Sequence, residues 1–281
     1  MKNQEREYMT AKRILNLYSK LLLTIYVRFV IFFLMKTQGG KEMDSQQPSP
    51  CSPSIVYFDL RDTGFSPVDE EFVDIYEYSN GEIQVDMQYY KMNIKGAINK
   101  AYVRKTVGDM LLIAQEFLPE GYHLKIWDAW RPYEVQKSLY KNYYKSLKKD
   151  KKNKGLSRRE LHQLASKFVS YPDKKKNPSF VHSSGGAVDL TITDKNGNEL
   201  DMGTDFDDFS EKAYFSWANN SFEATTEQKQ NRWLLFNVMK IAGFTHYPYE
   251  WWHYDYGDIF YGSTTGKKVK YGSVFKLEKK D

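Results

Sequence analysis

Two short segments of this chain combine the side chains that bind and activate a metal ion. His182 and Asp189 lie in HSSGGAVD, and Glu250 and His253 lie in EWWH. A mononuclear catalytic zinc takes three protein ligands and leaves its fourth tetrahedral position for water, so two histidines and one carboxylate form a complete set. A second carboxylate beside them can act as general base. The four residues therefore indicate the chemistry of a zinc hydrolase.

The remaining histidines and the single cysteine lie in sequences that do not support such chemistry. His123 stands at the entry to a predicted strand, His162 on a charged helix and His246 in the loop sequence FTHYPYE. We interpret all three as structural. Cys51 is the only cysteine, which excludes an internal disulfide. It has no histidine or acidic neighbours, so neither a thiol nucleophile nor a thiolate ligand is indicated.

Length and composition are typical of an enzyme with one compact catalytic domain. The chain has 281 residues, of which 41% are hydrophobic and 16% aromatic, enough for a substantial core. The formal net charge of +5 comes largely from lysine-rich runs at 145–154 and 173–177. No aromatic stacking platform accompanies these runs, so we expect solvated loops or helix ends and no nucleic-acid partner.

We divide the chain into an N-terminal segment, residues 1–54, and a catalytic domain, residues 55–281. The N-terminal segment contains an apolar stretch at 21–35, which Arg28 interrupts and which is short for a spanning helix. The sequence SQQPSPCSPS at 45–54 is typical of a flexible linker and has no small-residue cleavage site. Membrane association through 21–35, as an atypical signal anchor, stays open.

From residue 55 onward the patterns predict an α+β fold. We expect a single compact domain with a central antiparallel sheet flanked by helices, and the zinc site in a cleft on the sheet. Hydrophobic periodicity and capping residues predict the helices, and short apolar or alternating runs predict the strands. The predicted helices are 103–118, one beginning at Pro132, one from the Ser157–Glu160 capping box to about 170, and 225–244; the predicted strands are 124–130, 186–192 and 250–256.

Side-chain alternation in the predicted strands bears on the site. In 186–192, Asp189 lies on the face opposite Val188 and Leu190, so its carboxylate is aimed at a cleft rather than at the apolar layer. Glu250 and His253 are three residues apart and would point to opposite faces of a regular strand. We therefore expect Glu250 in an irregular segment after Pro248.

The segments HSSGGAVDLT and EWWH, together with WDAWRP at 127–132, resemble the zinc D-alanyl-D-alanine dipeptidases. This family includes the enzyme of vancomycin resistance. The resemblance covers approximately residues 85–260, and the motifs agree with the family in order and spacing. It implies His182, Asp189 and His253 as ligands of one zinc ion, and Glu250 as the catalytic base.

The resemblance also implies how a small D,D-dipeptide substrate is held. Arg131 in WDAWRP matches the arginine that steadies the transition-state oxyanion, and Asp128 matches the acid that holds this arginine at the substrate-binding side. Asp207 in MGTDFD matches the acid that receives the substrate's free amino group. The chain departs from the family at Phe180, where relatives often have a serine that helps to hold substrate.

The implied reaction is hydrolysis of D-alanyl-D-alanine. Zinc lowers the pKa of its water toward about 7, Glu250 takes the proton, and Arg131 shares the oxyanion with the metal. Three alternatives remain: a D,D-carboxypeptidase acting on peptidoglycan stem peptides, a non-catalytic zinc-binding cell-wall module, and a membrane-tethered interaction protein. The family resemblance implies a cytoplasmic protein, whereas a signal anchor at 21–35 would imply export or membrane attachment.

Overall fold

The computed structural model describes residues 65–166, 168–175 and 180–277. The N-terminal segment, with the apolar stretch at 21–35, lies outside the described residues, and the domain boundary at residue 54 stays a prediction. Within the described ranges, no helix is both long enough and apolar enough to cross a membrane.

Most of the strands belong to one central sheet. The strands are β1 (Phe72–Asp74), β2 (Gln84–Val85), β3 (Tyr102–Arg104), β4 (His123–Asp128), β5 (Ala187–Thr193), β6 (Thr245–His246) and β7 (His253–Asp255). The order in the central sheet is β2-β4-β5-β7-β6, and a separate two-stranded sheet joins β1 to β3. The pair β2 and β4 is parallel, while β4–β5, β5–β7 and β7–β6 are antiparallel. The predicted antiparallel sheet is therefore confirmed, with one parallel strand at its edge.

Helices surround this sheet, which confirms the predicted α+β class. Short 3-10 turns lie at Lys151–Asn153, Val181–Ser184 and Glu211–Ala213. The α-helices are α1 (Ile75–Tyr78), α2 (Gln88–Lys91), α3 (Lys105–Glu116), α4 (Tyr133–Lys149), α5 (Arg158–Ala165), α6 (Phe215–Asn220), α7 (Thr226–Ala242) and α8 (Ile259–Thr265).

Capping residues set several helix ends where the sequence predicts them. Ser157 and Glu160 form a capping box at the start of α5, and Thr225 and Gln228 form another at the start of α7. Gly243 ends α7 with φ at +101°, a conformation that glycine adopts without steric cost.

Two helices differ from their predicted limits. Helix α3 begins two residues later than predicted, because Val103 and Arg104 pair with β1 as part of β3. Helix α5 ends at Ala165 rather than near residue 170. Beyond its end, Phe168 turns to pack against Tyr143.

The hydrophobic core lies on one face of the central sheet. Val188, Leu190 and Ile192 of β5 are fully buried against α3 and α7. These helices contribute the buried residues Val107, Leu111, Ala114, Leu235, Val238 and Met239. Asp189 lies between two of the core residues and points the opposite way, as the alternation predicts.

A β-bulge connects the sheet to the site. Strands β4 and β5 pair regularly as far as Ile126 and Leu190, but the register then shifts, and Asp128 pairs with Asp189. A regular ladder would place Trp127 opposite Asp189. The bulge adds one residue to β4 and thereby brings two carboxylates side by side at the end of the strand pair.

Candidate metal centre and active site

Three buried side chains converge on one point at the end of β5 and β7. One ligand atom from each of His182, Asp189 and His253 lies within 4.8 Å of the others. Nε2 of His182 is 3.2 Å from Nδ1 of His253. The Asp189 carboxylate is 2.9 Å from that Nδ1 and 3.4 Å from Nε2 of His182. The structure therefore brings the three predicted ligands together.

The outer nitrogen of each histidine is held by a neighbouring acceptor. Nδ1 of His182 donates to the carbonyl of Ala129 at 2.9 Å, and Asp128 lies 3.2 Å from the same nitrogen. Nε2 of His253 donates to Asp255 at 2.8 Å. Such bonds fix the ring orientation and tautomer of a metal-binding histidine. Each ring consequently turns its free nitrogen toward Asp189.

These positions fit a tetrahedral zinc ion. Zinc bonds to nitrogen and carboxylate oxygen of about 2.0–2.1 Å place neighbouring ligand atoms about 3.3 Å apart. The separations of 2.9, 3.2 and 3.4 Å lie close to that spacing. Three ligands leave one tetrahedral position, as in catalytic rather than structural zinc sites.

The electrostatics of the cluster also favour a cation. Although burial opposes a charge on either group, Asp255 and Asp189 raise the pKa of His253 well above its usual value. In the same way, and despite burial, His182 and His253 hold the pKa of Asp189 below its usual range. A site that retains a proton this strongly can take a metal ion in its place, with release of the proton.

Two glycines shape the turn between the first two ligands. The turn Val181–Ser184 ends at Gly185, whose φ is +74°, and the chain then enters β5. A side chain at Gly186 would collide with the backbone carbonyl of Tyr256. The glycine pair in HSSGG therefore lets the chain reverse and lie close to the strand that carries His253.

Glu250 lies beside the ligands but not in a strand. It belongs to the turn between β6 and β7, where the amide of His253 donates to the Glu250 carbonyl at 3.2 Å. Its carboxylate is 3.9 Å from Nδ1 of His253. Strand β7 begins only at His253, so the predicted irregular segment is confirmed. Burial raises the pKa of Glu250 to about 8, a range suited to accepting a proton near neutral pH.

Arg131 follows β4 and is held from three sides. Its Nε donates to Asp128 at 2.8 Å and its Nη1 to Gln136 at 2.6 Å. Its Nη2 lies 3.4 Å from Asp189. Burial opposes the charge on Arg131, but Asp128 and the other acidic groups outweigh it and raise the pKa of the guanidinium. A fixed cation therefore lies next to the cluster of His182, Asp189 and His253.

Asp207 lies in the long segment between β5 and α6. It has a left-handed backbone, with φ at +59°. Its carboxylate accepts hydrogen bonds from the Tyr89 hydroxyl at 3.0 and 3.2 Å. Burial raises the pKa of Asp207 to about 7, and the nearby charge of Arg131 opposes that rise. A cation bound beside Asp207 would favour the charged carboxylate and lower this pKa.

A single pocket joins these groups. Arg131, Asp207 and Glu250 line it together with the three ligand residues. Asp128, the other predicted site residue, lies behind Arg131 and does not line the pocket. Phe180 also lines the pocket, and the other aromatic lining residues are Tyr89, Phe168, Phe209, Tyr247 and Phe260.

Three residues that contact the site are not predicted by the sequence patterns. Tyr89 and Gln136 have no motif around them, and only the structure brings them to Asp207 and Arg131. Asp255 had a usable signal. It follows His253 by two residues, and residues two apart in a strand share a face.

The other three histidines lie away from the cluster, which agrees with the structural role predicted for them, although His246 lies in β6 rather than in a loop. His246 packs against Phe215 and Phe236 with ring centroids 5.2 and 4.9 Å apart. His162 stacks on Tyr144 at 4.6 Å. Nδ1 of His123 is hydrogen-bonded to a backbone carbonyl at 2.9 Å.

Fold and cluster together define an α+β protein with three clustered residues that could hold a metal ion. A model of the D-ala-D-ala dipeptidase family matches residues 82–269, well over half of the chain. The chain therefore belongs to this family, and the resemblance predicted from the motifs is confirmed.

Curated relatives agree with this assignment. The D-alanyl-D-alanine dipeptidase of Enterococcus faecium is 30% identical over 162 residues, which cover 56% of this chain and 74% of that protein. The Synechocystis protein of the same name is 27% identical over 150 residues, 49% of this chain and 61% of that one. The Escherichia coli protein of the same name is 29% identical over 143 residues, which cover 48% of this chain and 55% of that protein. The chain thus spans about three fifths or less of the length of the last two relatives.

Proposed function

We propose that this protein is a zinc-dependent dipeptidase that hydrolyses D-alanyl-D-alanine, with Glu250 as general base. The observation that carries the proposal is the shared pocket. It holds a three-ligand cluster, a carboxylate beside that cluster, a fixed guanidinium and a carboxylate suited to an ammonium group. Family membership and the names of the curated relatives support the same reaction.

His182, Asp189 and His253 would hold the metal. When bound there, zinc supplies Lewis-acid activation of a water molecule and of the substrate carbonyl. The role of Asp255 and the Ala129 carbonyl is to keep the two imidazoles oriented toward Asp189.

Glu250 moves the proton in this proposal. It is partly buried, and its carboxylate lies 3.9 Å from a ligand nitrogen, a position from which it could reach a water molecule held by the ligand cluster. It takes the proton of that water during attack on the peptide carbon and then delivers the proton to the leaving amine. The base makes a non-catalytic zinc-binding module the weaker alternative, because a structural zinc site has four protein ligands and needs no base.

Arg131 stabilises negative charge on the substrate oxygen. Asp128 and Gln136 fix the plane of its guanidinium before substrate arrives. A donor that is already oriented costs little reorganisation in the transition state.

Asp207 selects for a free amino terminus. A substrate without a terminal ammonium group would leave this carboxylate buried and unpaired, at a cost of about 1–3 kcal/mol or more. The same argument disfavours the D,D-carboxypeptidase alternative, because a peptidoglycan stem peptide presents an acylated nitrogen at this position. Small dipeptides derived from cell-wall material are thus the proposed substrates.

A substrate panel tests the proposal directly. We expect the zinc-loaded protein to release D-alanine from D-alanyl-D-alanine, and to leave its N-acetyl derivative and a stem pentapeptide nearly untouched. Asp207→Asn keeps the shape of the side chain and tolerates the left-handed backbone, and it should raise KM for the free dipeptide. Equal cleavage of free and acetylated dipeptide, or efficient trimming of the pentapeptide, would show that the dipeptidase proposal is wrong.

A further inference from the structure

The segment that carries Asp207 has no strand of its own to support it. We call residues 201–214 the Asp207 loop. It directly precedes α6 and includes the 3-10 turn Glu211–Ala213. Because Asp207 lies in the left-handed region, the loop cannot rely on local backbone preference there. Contacts from outside the loop must therefore fix its shape.

Arg232 of α7 provides such contacts at both ends of the loop. Its Nε donates to the carbonyl of Met202 at 2.6 Å. Its Nη1 and Nη2 donate to the carbonyls of Tyr214 and Lys212, each at 2.9 Å. The three acceptors bracket Asp207 in sequence. One planar side chain thus joins the entry and the exit of the Asp207 loop.

The surroundings of Arg232 hold it rigidly. It is only 1% exposed and lies at cation–π distance from the rings of Trp217 and Trp251. Its charge is satisfied by carbonyl oxygens, which accept hydrogen bonds from a guanidinium in several directions at once. A lysine offers one compact ammonium and could not reach three carbonyls with this spread.

Two neighbouring contacts act on the same loop. The side-chain amide of Asn231 donates to the carbonyl of Asp201 at 2.9 Å. Nε1 of Trp251, which directly follows Glu250, donates to Thr204 at 2.7 Å. The loop that carries Asp207 is consequently joined both to α7 and to the turn that carries Glu250.

We infer that Arg232 is a positioning residue for substrate selection, which sets the place of the Asp207 carboxylate through the two ends of the Asp207 loop without touching substrate. The inference rests on the proposed function for its kinetic consequences. It predicts that loosening Arg232 weakens recognition of the substrate ammonium group more than it slows the chemical step.

The test compares Arg232→Lys with Leu235→Ala. Leu235 is a fully buried core residue on the same helix whose apolar side chain forms no hydrogen bond to the loop, and its truncation destabilises the fold. For Arg232→Lys we expect a rise in KM for D-alanyl-D-alanine of at least about tenfold and a smaller change in kcat. The ratio of kcat/KM between the free and the N-acetylated dipeptide should fall. Leu235→Ala should lower Tm and leave both KM and the ratio of kcat/KM between the two dipeptides unchanged.

A double-mutant cycle separates positioning from general stability. In an Asp207→Asn background, Arg232→Lys should raise KM little further, because the group it positions has lost its charge. Additive effects of the two changes would overturn the inference. The inference would also be overturned if Arg232→Lys kept the KM of the parent and the parent's ratio of kcat/KM between the two dipeptides.

Two further measurements cover failure to fold and failure of the proposed reaction. If Arg232→Lys does not fold, Arg232→Gln, which cannot join all three carbonyls, takes its place, and an unchanged KM in that variant would then overturn the inference. Hydrogen exchange needs no substrate. Amides of the Asp207 loop should exchange faster in Arg232→Lys than in Leu235→Ala, and equal exchange would count against Arg232 even if D-alanyl-D-alanine is not the substrate.

Discussion

Asp255 and His253 lie two residues apart on β7, and the Asp255 carboxylate accepts a hydrogen bond from Nε2 of the histidine at 2.8 Å. The short strand therefore supplies both a proposed metal ligand and the group that orients it. Asp255 is 1% exposed and pairs with Ala187 at the start of β5. Its position is fixed by the same ladder that places Asp189 opposite His253.

Asp255→Asn should weaken zinc binding by roughly tenfold or more, the usual effect of losing a charged partner of a ligand histidine. Competition for zinc against a chelator of known affinity measures this without any activity assay. Asp205→Asn, at an exposed acid of the Asp207 loop, is a suitable control and should bind zinc like the parent. Parental zinc affinity in Asp255→Asn would mean that backbone packing alone orients His253.

Glu250→Gln should retain one zinc per chain and lose nearly all turnover. The amide has almost the same shape as the carboxylate but cannot accept the proton, a loss of about 10²- to 10⁴-fold in kcat. Metal analysis and steady-state kinetics on the same sample check both halves of the prediction. His253→Ala is the matched contrast, because it should lose the metal as well.

Arg131→Lys should reduce kcat by about 10²- to 10³-fold. A lysine cannot donate to Asp128 and Gln136 and still present a flat pair of donors to the substrate oxygen. Zinc content should stay near one per chain, because Arg131 is not among the three clustered ligands. A kcat within a few-fold of the parent would place oxyanion stabilisation elsewhere in the pocket.

His246 should make the fold sensitive to mild acid. Burial lowers the pKa of His246 to about 4, and Lys240 adds to this while Asp255 opposes it. Between pH 6.5 and 4, His246 is protonated in the unfolded chain but not in the folded chain. The free energy of unfolding therefore falls as the pH falls through this range. The full effect is at most about 3 kcal/mol.

Replacement of His246 by phenylalanine should make the free energy of unfolding depend less on pH between 6.5 and 4. The new ring can pack against Phe215 and Phe236, which already surround the imidazole. Urea unfolding of parent and variant at several pH values between 4 and 7 checks the prediction. An identical slope in the two proteins would assign the acid sensitivity to other groups.

The sequence predicted which three residues lie together at the end of β5 and β7 better than it predicted the structure around them. Ligand types and motif spacing identify His182, Asp189 and His253, because metal chemistry restricts the residues that can occupy such positions. The elements that carry long periodic patterns, such as α7, also agree closely with prediction. Helix α3 begins later than predicted because pairing with a distant strand prevailed over local helical preference.

Contacts between distant segments account for what the sequence could not provide. Tyr89 reaches Asp207 across 118 positions of the chain, and Gln136 meets Arg131 only because α4 begins directly after it. No local pattern predicts the first of these contacts. The shape of the Asp207 loop likewise depends on Arg232, which follows it by a helix and a turn.

The bulge in β4 gives the site one side chain that a regular strand would not supply. Deleting Trp127 would restore a regular ladder and leave Asp128 opposite Asp189, because Asp128 and Arg131 both follow the deleted position. The loss would fall on Trp127 itself, whose ring packs against Phe206, next to Asp207, and against Trp251, next to Glu250. A shortened β4 would therefore keep the pair of aspartates and loosen the segments that carry the other two carboxylates of the pocket.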